Sequence, residues 1–282
     1  MRRWLVVVVA VCIVTGCTTA DTRLPVQGGA SGTATSLAKG AKGTATAVPK
    51  PQKSPAGIAL VSSHYGTPAT LTTLVFYMRH LERDINTMWG QEFTDQGRTW
   101  KPVTVHILPQ GVVLQSPCGP AGDPDSDPEL PNPAFYCPSN KSIYLSATWI
   151  EHNVWFPHTG QTAKGNPVVR LGGDLGVALV TAHEMGHAVQ DQDGAGAAAG
   201  DPVRPTELQA DCYAGIWAYA KFAAGEIDSQ VAAALDAVED VGDTSEDPAQ
   251  HHGTPDQRGR AFFTGYQNGD PAACVPDVGA NS

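Results

Sequence analysis

His183 and His187 stand four residues apart in the run His183-Glu184-Met185-Gly186-His187, and this spacing constrains the chain more than any other feature. On an α-helix, residues i and i+4 share one face, so both imidazoles can reach a single metal ion. The run DLGVALVTAHEMGHAVQDQ, which follows Gly172-Gly173, predicts such a helix. Leu175, Ala178, Leu179, Ala182, Met185 and Val189 fall on one apolar stripe, and Asp174 is placed to cap the start. Glu184 directly follows the first histidine, so its carboxylate reaches the side on which a metal-held water would sit, the place of a general base.

Two imidazoles do not complete a catalytic zinc site, which needs a third protein ligand and an open position. Glu207 comes 20 residues after His187, and Asp211 follows it by four in RPTELQADCYAGIWAYAKFAAG. This run predicts a second helix, with Pro205 and Thr206 at its entry and Gly225 as its stop. Alone, Glu207 and Asp211 would be an acidic pair near a helix N-terminus, where negative charge is favourable anyway. Beside HEMGH, Glu207 fits the third ligand and Asp211 the outer carboxylate that accepts the second N–H of a ligating imidazole.

A third helix is predicted over Asp228 to Gly242, and Thr254-Pro255-Asp256-Gln257 opens a fourth through a capping box, ended by Gly269. His251-His252-Gly253 precedes that helix start, where backbone N–H groups and the helix dipole favour anions and neutral imidazole. His252 is therefore a candidate to polarise a scissile carbonyl. Arg258 is the alternative, or a holder of a substrate carboxylate, and a plain capping segment is the structural reading of the same residues.

Earlier in the chain, Ser63 to Trp89 carries Leu71, Leu74, Val75, Met78, Leu81, Ile85 and Met88 at helical spacing. Pro102 to Leu108, Val112 to Leu114 and Ser142 to Leu145 read as short strands. His106 reads as a strand surface residue, His64, His80, His152 and His158 have no partners at ligand spacing, and Trp217 and Tyr266 read as core.

The first 17 residues, MRRWLVVVVAVCIVTGC, combine two arginines, an apolar run and small residues before a cysteine. They read as a secretory leader with a lipobox, its apolar run short for a membrane span, in which Cys17 is lipidated and becomes the N-terminus. Thr18 to Gly57 is Gly, Ala, Ser, Thr, Pro and Lys with almost no large apolar residue, so it reads as a disordered tether with a reach of roughly 35 Å. The formal charge of −10 divides into +2 up to Cys17, +4 to Gly57 and −16 beyond. So acidic a domain excludes a nucleic-acid partner, because phosphate contacts need a Lys/Arg excess. Cys17→Ala should release the protein from membranes or leave an uncleaved precursor, and unchanged processing together with unchanged detergent partitioning would refute the lipobox.

Outside the cytoplasm, the remaining Cys118, Cys137, Cys212 and Cys274 imply two disulfides with three possible connectivities. Cys118 with Cys137 is the local choice, bracketing a Pro-rich loop, and leaves Cys212 with Cys274. A four-cysteine zinc site is the weaker reading, for no C-x-x-C occurs.

The segments CGP…PAFYCP…IYLS, AHEMGHAVQ, ELQADCYAGIWA and HGTPDQRGRAFFTGYQNGDPAAC, in this order between Gly111 and Cys274, resemble the bacterial family called putative neutral zinc metallopeptidases. Their plan is also similar to that of the thermolysin-like gluzincins, where H-E-x-x-H on one helix meets E-x-x-x-D on another. The resemblance implies that His183, His187 and Glu207 hold Zn2+, that Glu184 is the base, and that both cysteine pairs are structural. Ala188 stands where many relatives have another histidine.

The expected fold is α+β and zincin-like, a small sheet packed against helices with a cleft across the HEMGH helix. The expected organisation is a leader over 1–17, a tether over 18–57 and a zinc metallopeptidase domain over 58–282. Ile143 to Leu145 are expected at a sheet edge, free to pair with an extended substrate. The expected function is hydrolysis of peptide bonds in a peptide or protein substrate, at the outer face of the membrane that Cys17 anchors to. A catalytically silent zinc-binding envelope lipoprotein and a zinc amidase acting on cell wall are the alternatives, and intact Glu184 argues against the first. Oligomeric state is left open.

Overall fold

The computed structural model of the chain describes residues 71–122, 132–151, 154, 158–161, 167–170, 174–196, 201–226, 238, 242–243 and 251–279. These belong to the compact unit Pro49–Ser282. The leader, the tether, Cys17, the Asp174 side chain and nearly all of the helix expected over Asp228 to Gly242 lie outside the described residues.

Helix α1 (Leu71–Asp95) buries Leu74, Met78, Leu81 and Ile85, as their spacing predicts. It runs past Trp89 because the stripe continues at Trp89 and Phe93, both buried; full burial of such a side chain contributes about 1.5–3 kcal/mol. The Asn86 side chain then ties α1 to the incoming chain, accepting from Trp100 Nε1 at 3.0 Å and Val103 N at 2.8 Å.

Strand β1 (Thr104–Leu108) is followed by a turn in which Val112 N donates to Pro109 O at 3.1 Å, with Gly111 at φ 73°. That turn displaces the expected Val112 to Leu114 strand. Val112 and Val113 are exposed, and β2 (Leu114–Ser116) starts later, forming a hairpin with β3 (Gly119–Ala121). Strands β4 (Ala134–Cys137) and β5 (Ser142–Ser146) complete a mixed sheet of order β1-β5-β4, with β5 parallel to β1 and antiparallel to β4. A disulfide joins Cys118, in the hairpin, to Cys137 at the end of β4.

Ile143 to Leu145 are thus not at an edge. They sit in β5, the central strand, where every residue is buried and both flanks are hydrogen-bonded. An apolar run without polar alternation suits a strand covered on both faces, which its short length alone does not reveal. Among the described strands of this sheet, β1 and β4 are the edges, and β4 is the edge that lines the cleft with the helices.

Ser146 caps the short α2 (Ala147–Ile150), accepting from Trp149 N at 3.1 Å. A separate antiparallel pair, β6 (His158–Gln161) and β7 (Pro167–Arg170), precedes the long helices. These are α3 (Asp174–Asp193), α4 (Arg204–Ala223) and α5 (Pro255–Asn268). The expected capping box opens α5, Thr254 Oγ1 accepting from Gln257 N and Gln257 Oε1 from Thr254 N, and Gly269 ends it at φ 62°.

Helices α4 and α5 touch backbone to backbone, for a Cβ at Gly265 would lie 1.9 Å from the Cys212 carbonyl oxygen. The second disulfide, Cys212 to Cys274, then clamps α4 to the chain beyond α5. Closing 62 residues, it stabilises the fold by about 4 kcal/mol in the chain-entropy model. Trp217 is core, its Nε1 donating to Asp84 at 3.0 Å, and Tyr266 packs partly buried against that core. Among the described residues, no helix is long and apolar enough to cross a membrane.

Candidate metal centre

The two histidines of α3 face the first turns of α4. His183 and His187 have ring centroids 4.8 Å apart, and Glu207 lies across from both. Its Oε2 is 3.2 Å from His183 Nε2 and its Oε1 3.3 Å from His187 Nε2. The close approach depends on Gly186, between the histidines, where a Cβ would lie 2.8 Å from the Ala210 carbonyl oxygen and 2.9 Å from its Cα. Any side chain there would push α4 and Glu207 away from α3.

Two imidazole nitrogens and a carboxylate oxygen, all within 4.8 Å of one another, are a donor set that fits zinc with one position left open. The other ring nitrogens are already engaged. His183 donates from Nδ1 to Asp211 Oδ1 at 2.8 Å, and His187 Nδ1 lies 2.9 Å from Gln190 Oε1. With Nδ1 bound to an acceptor, Nε2 is the nitrogen that each ring can offer to a metal.

Asp211 in turn is held by Arg258 of α5, whose Nε reaches Oδ2 at 2.8 Å and Nη2 reaches Oδ1 at 2.9 Å. Both side chains are buried, at 1% and 4% exposure. Arg258, weighed in the sequence as an oxyanion or substrate group, has its guanidinium engaged behind His183. Glu184 is also buried and lines the cleft beside the ligand trio. Its carboxyl is raised above the ordinary range by burial, against the lowering effect of His183 and His187.

The cluster is electrostatically tight. Burial raises the Glu207 carboxyl, but His187 and His183 outweigh it and hold it well below the usual range. Burial alone would lower His183, yet Asp211 and Glu207 overcome it and push it up to about 10. Without metal, His183 is therefore protonated at neutral pH, and zinc must displace that proton. Zinc affinity should accordingly rise with pH up to about 10, with proton release on binding at pH 7. Calorimetry in buffers of different ionisation enthalpy measures that release, and its absence would refute the protonated cluster.

The cleft, about 810 Å³, runs from the trio along β4, past Ala134, Phe135 and Tyr136. Tyr136 donates to Asp191 Oδ2 at 2.7 Å, and Lys141 Nζ meets the same oxygen at 2.7 Å, so β4 is tied to α3. His252 lies on the cleft too, 47% exposed, with its Nδ1 2.9 Å and its backbone N 2.8 Å from Asp243 Oδ2. Asp243 also meets His251 Nδ1, at 2.8 Å.

Sequence reasoning missed Asp243, Gln190, Asp191 and Tyr136. Gln190 and Asp191 follow His187 by three and four on the same helix, so helical spacing could have found them. Asp243 carried no such signal.

With two histidines and a glutamate on helices beside a small mixed sheet, this is an α+β domain of the zincin-like kind. Over residues 50–276 the chain matches the family described as "Putative neutral zinc metallopeptidase", and it belongs to that family. It is 33% identical over 204 residues to the uncharacterized protein Rv2575 of Mycobacterium tuberculosis (strain H37Rv), covering 62% of this chain and 64% of that one. It is 28% identical over 210 residues to the uncharacterized protein YpfJ of Escherichia coli (strain K12), covering 66% of this chain and 65% of that one. The match thus spans under two thirds of these relatives' length. No solved structure matches the chain.

Proposed function

We propose that this protein is a zinc-dependent peptidase that cuts an extended peptide lying along β4. The observation that carries the reading is the position of Glu184, a buried carboxylate on the cleft wall directly beside His183, His187 and Glu207. Zinc held by those three residues would supply a Lewis acid that acidifies a water and polarises the scissile carbonyl.

The remaining work belongs to the chain's own side chains. The Glu184 carboxylate accepts the proton of the attacking water and returns it to the leaving amine nitrogen. His252, its Nδ1 held on Asp243, stands on the cleft to polarise the scissile carbonyl. The free flank of β4 supplies backbone hydrogen bonds to the substrate, and Phe135, Trp149 and Leu179 line the cleft for its apolar side chains.

The test is metal content measured together with cleavage of casein and a peptide library by the purified protein. One zinc per chain, with cleavage abolished by a chelator and restored by zinc, is the expected result. One zinc without any cleavage would sink the enzyme reading in favour of a silent zinc-binding module. Release of fragments from purified cell wall but from no peptide would move the same site to an amidase.

A further inference from the structure

His183 has a carboxylate behind it, whereas His187 has an amide. His187 Nδ1 lies 2.9 Å from Gln190 Oε1. The Gln190 amide nitrogen lies 2.7 Å from the Thr206 carbonyl oxygen and 3.0 Å from Gln209 Oε1. The Gln209 amide nitrogen lies 2.6 Å from the carbonyl oxygen of Cys274. Both glutamines are buried, at 2% and 6% exposure, so water does not compete for these bonds.

The direction of each bond follows from chemistry. A backbone carbonyl only accepts, so the atom each glutamine turns to Thr206 or Cys274 must be its NH2 group. Gln209 therefore shows its oxygen to Gln190, and Gln190 shows its oxygen to His187. An oxygen that only accepts requires a proton on His187 Nδ1, so in the neutral ring that a metal binds the lone pair is on Nε2, the nitrogen on the Glu207 side. Cys274, at the far end, is anchored by its disulfide to Cys212 and by its N–H to Pro271 O at 3.0 Å.

We propose that Gln190 and Gln209 are positioning residues: a one-way amide relay from the disulfide-anchored Cys274 carbonyl to His187 Nδ1 selects the imidazole tautomer that binds metal. The inference rests on the reading of His187 as a metal ligand. It makes the C-terminal segment beyond α5, remote in sequence from HEMGH, part of the metal site's support.

Zinc affinity, read by competition with a chromophoric chelator on the full chain, tests it with two substitutions of opposite chemistry. Gln190→Leu removes the acceptor and should weaken zinc binding about 10- to 100-fold. Gln190→Glu keeps an acceptor for Nδ1–H, though it loses the NH2 that donates to Thr206 and Gln209, and should bind zinc more tightly than Gln190→Leu. A packing role predicts the reverse order, because a buried carboxylate costs more than a leucine at a site 2% exposed.

A wild type that binds no zinc refutes the metal centre itself. A zinc-binding wild type with Gln190→Leu equally tight, or with Gln190→Glu as weak as Gln190→Leu, overturns the relay alone. Should Gln190→Leu fail to fold, the zinc-loaded wild type decides. With 15N-labelled histidine, His187 should show a slowly exchanging proton on Nδ1, and a proton on Nε2 or immediate exchange overturns the relay.

Discussion

Glu184→Gln should leave the protein with one zinc per chain and cut turnover by about 10²-fold or more, the size expected for loss of a general base. The substitution keeps shape and hydrogen-bonding capacity but removes the group that accepts a proton. His183, His187 and Glu207, which form the donor set, are untouched. The buried Glu184 carboxylate also carries a desolvation cost, so the neutral amide should leave stability unchanged or slightly raised. Glu207→Gln is the control. It removes the anionic donor, so metal content and activity should fall together, with some loss of stability because metal binding is linked to folding. Metal analysis with single-turnover assays separates the two, and a zinc-free Glu184→Gln or a fully loaded, active Glu207→Gln would reverse the proposed roles.

Asp211→Ala should destabilise the fold by about 3–5 kcal/mol, the cost of leaving one member of a buried ion pair alone. Arg258 is 4% exposed and donates twice to Asp211, so the truncation leaves a guanidinium in a cavity with its main counter-charge gone. The same change strips His183 of its Nδ1 acceptor and should weaken zinc binding about 10- to 100-fold. Replacing both partners, Asp211→Leu with Arg258→Met, separates these effects. Urea melts should recover most of the lost stability, since an apolar pair can substitute for a buried ion pair. Zinc affinity should stay low. Recovery of zinc binding in the double variant would show that Asp211 serves only to neutralise Arg258.

Much of the site's local geometry was legible in the order of residues, because it depends on contacts within a turn or two. The i, i+4 spacing of His183 and His187 and of Glu207 and Asp211 follows from helical period alone. The Thr254–Gln257 capping box and the left-handed Gly269 are likewise local signals, and both stand in the structure. The cysteines were legible for a different reason. With four in play and one close pair bracketing a loop, the second pair, Cys212 with Cys274, followed.

What only the tertiary structure decided are partnerships between residues distant along the chain, where the sequence has no period to read. SIYLS is a strand by composition, but that it lies between β1 and β4, leaving β4 to border the cleft, depends on register with two other segments. Arg258 has the chemistry of a substrate group, yet docking of α5 on α4 through Gly265 delivers it to Asp211, 47 residues earlier in the chain. Gln209 is an unremarkable helix residue until the Cys212–Cys274 disulfide brings a carbonyl 65 residues away to its amide. The sequence by itself determined which side chains could bind a metal and take up a proton. Packing decided which neighbours orient them, because that depends on close approach of whole helices rather than on spacing along one.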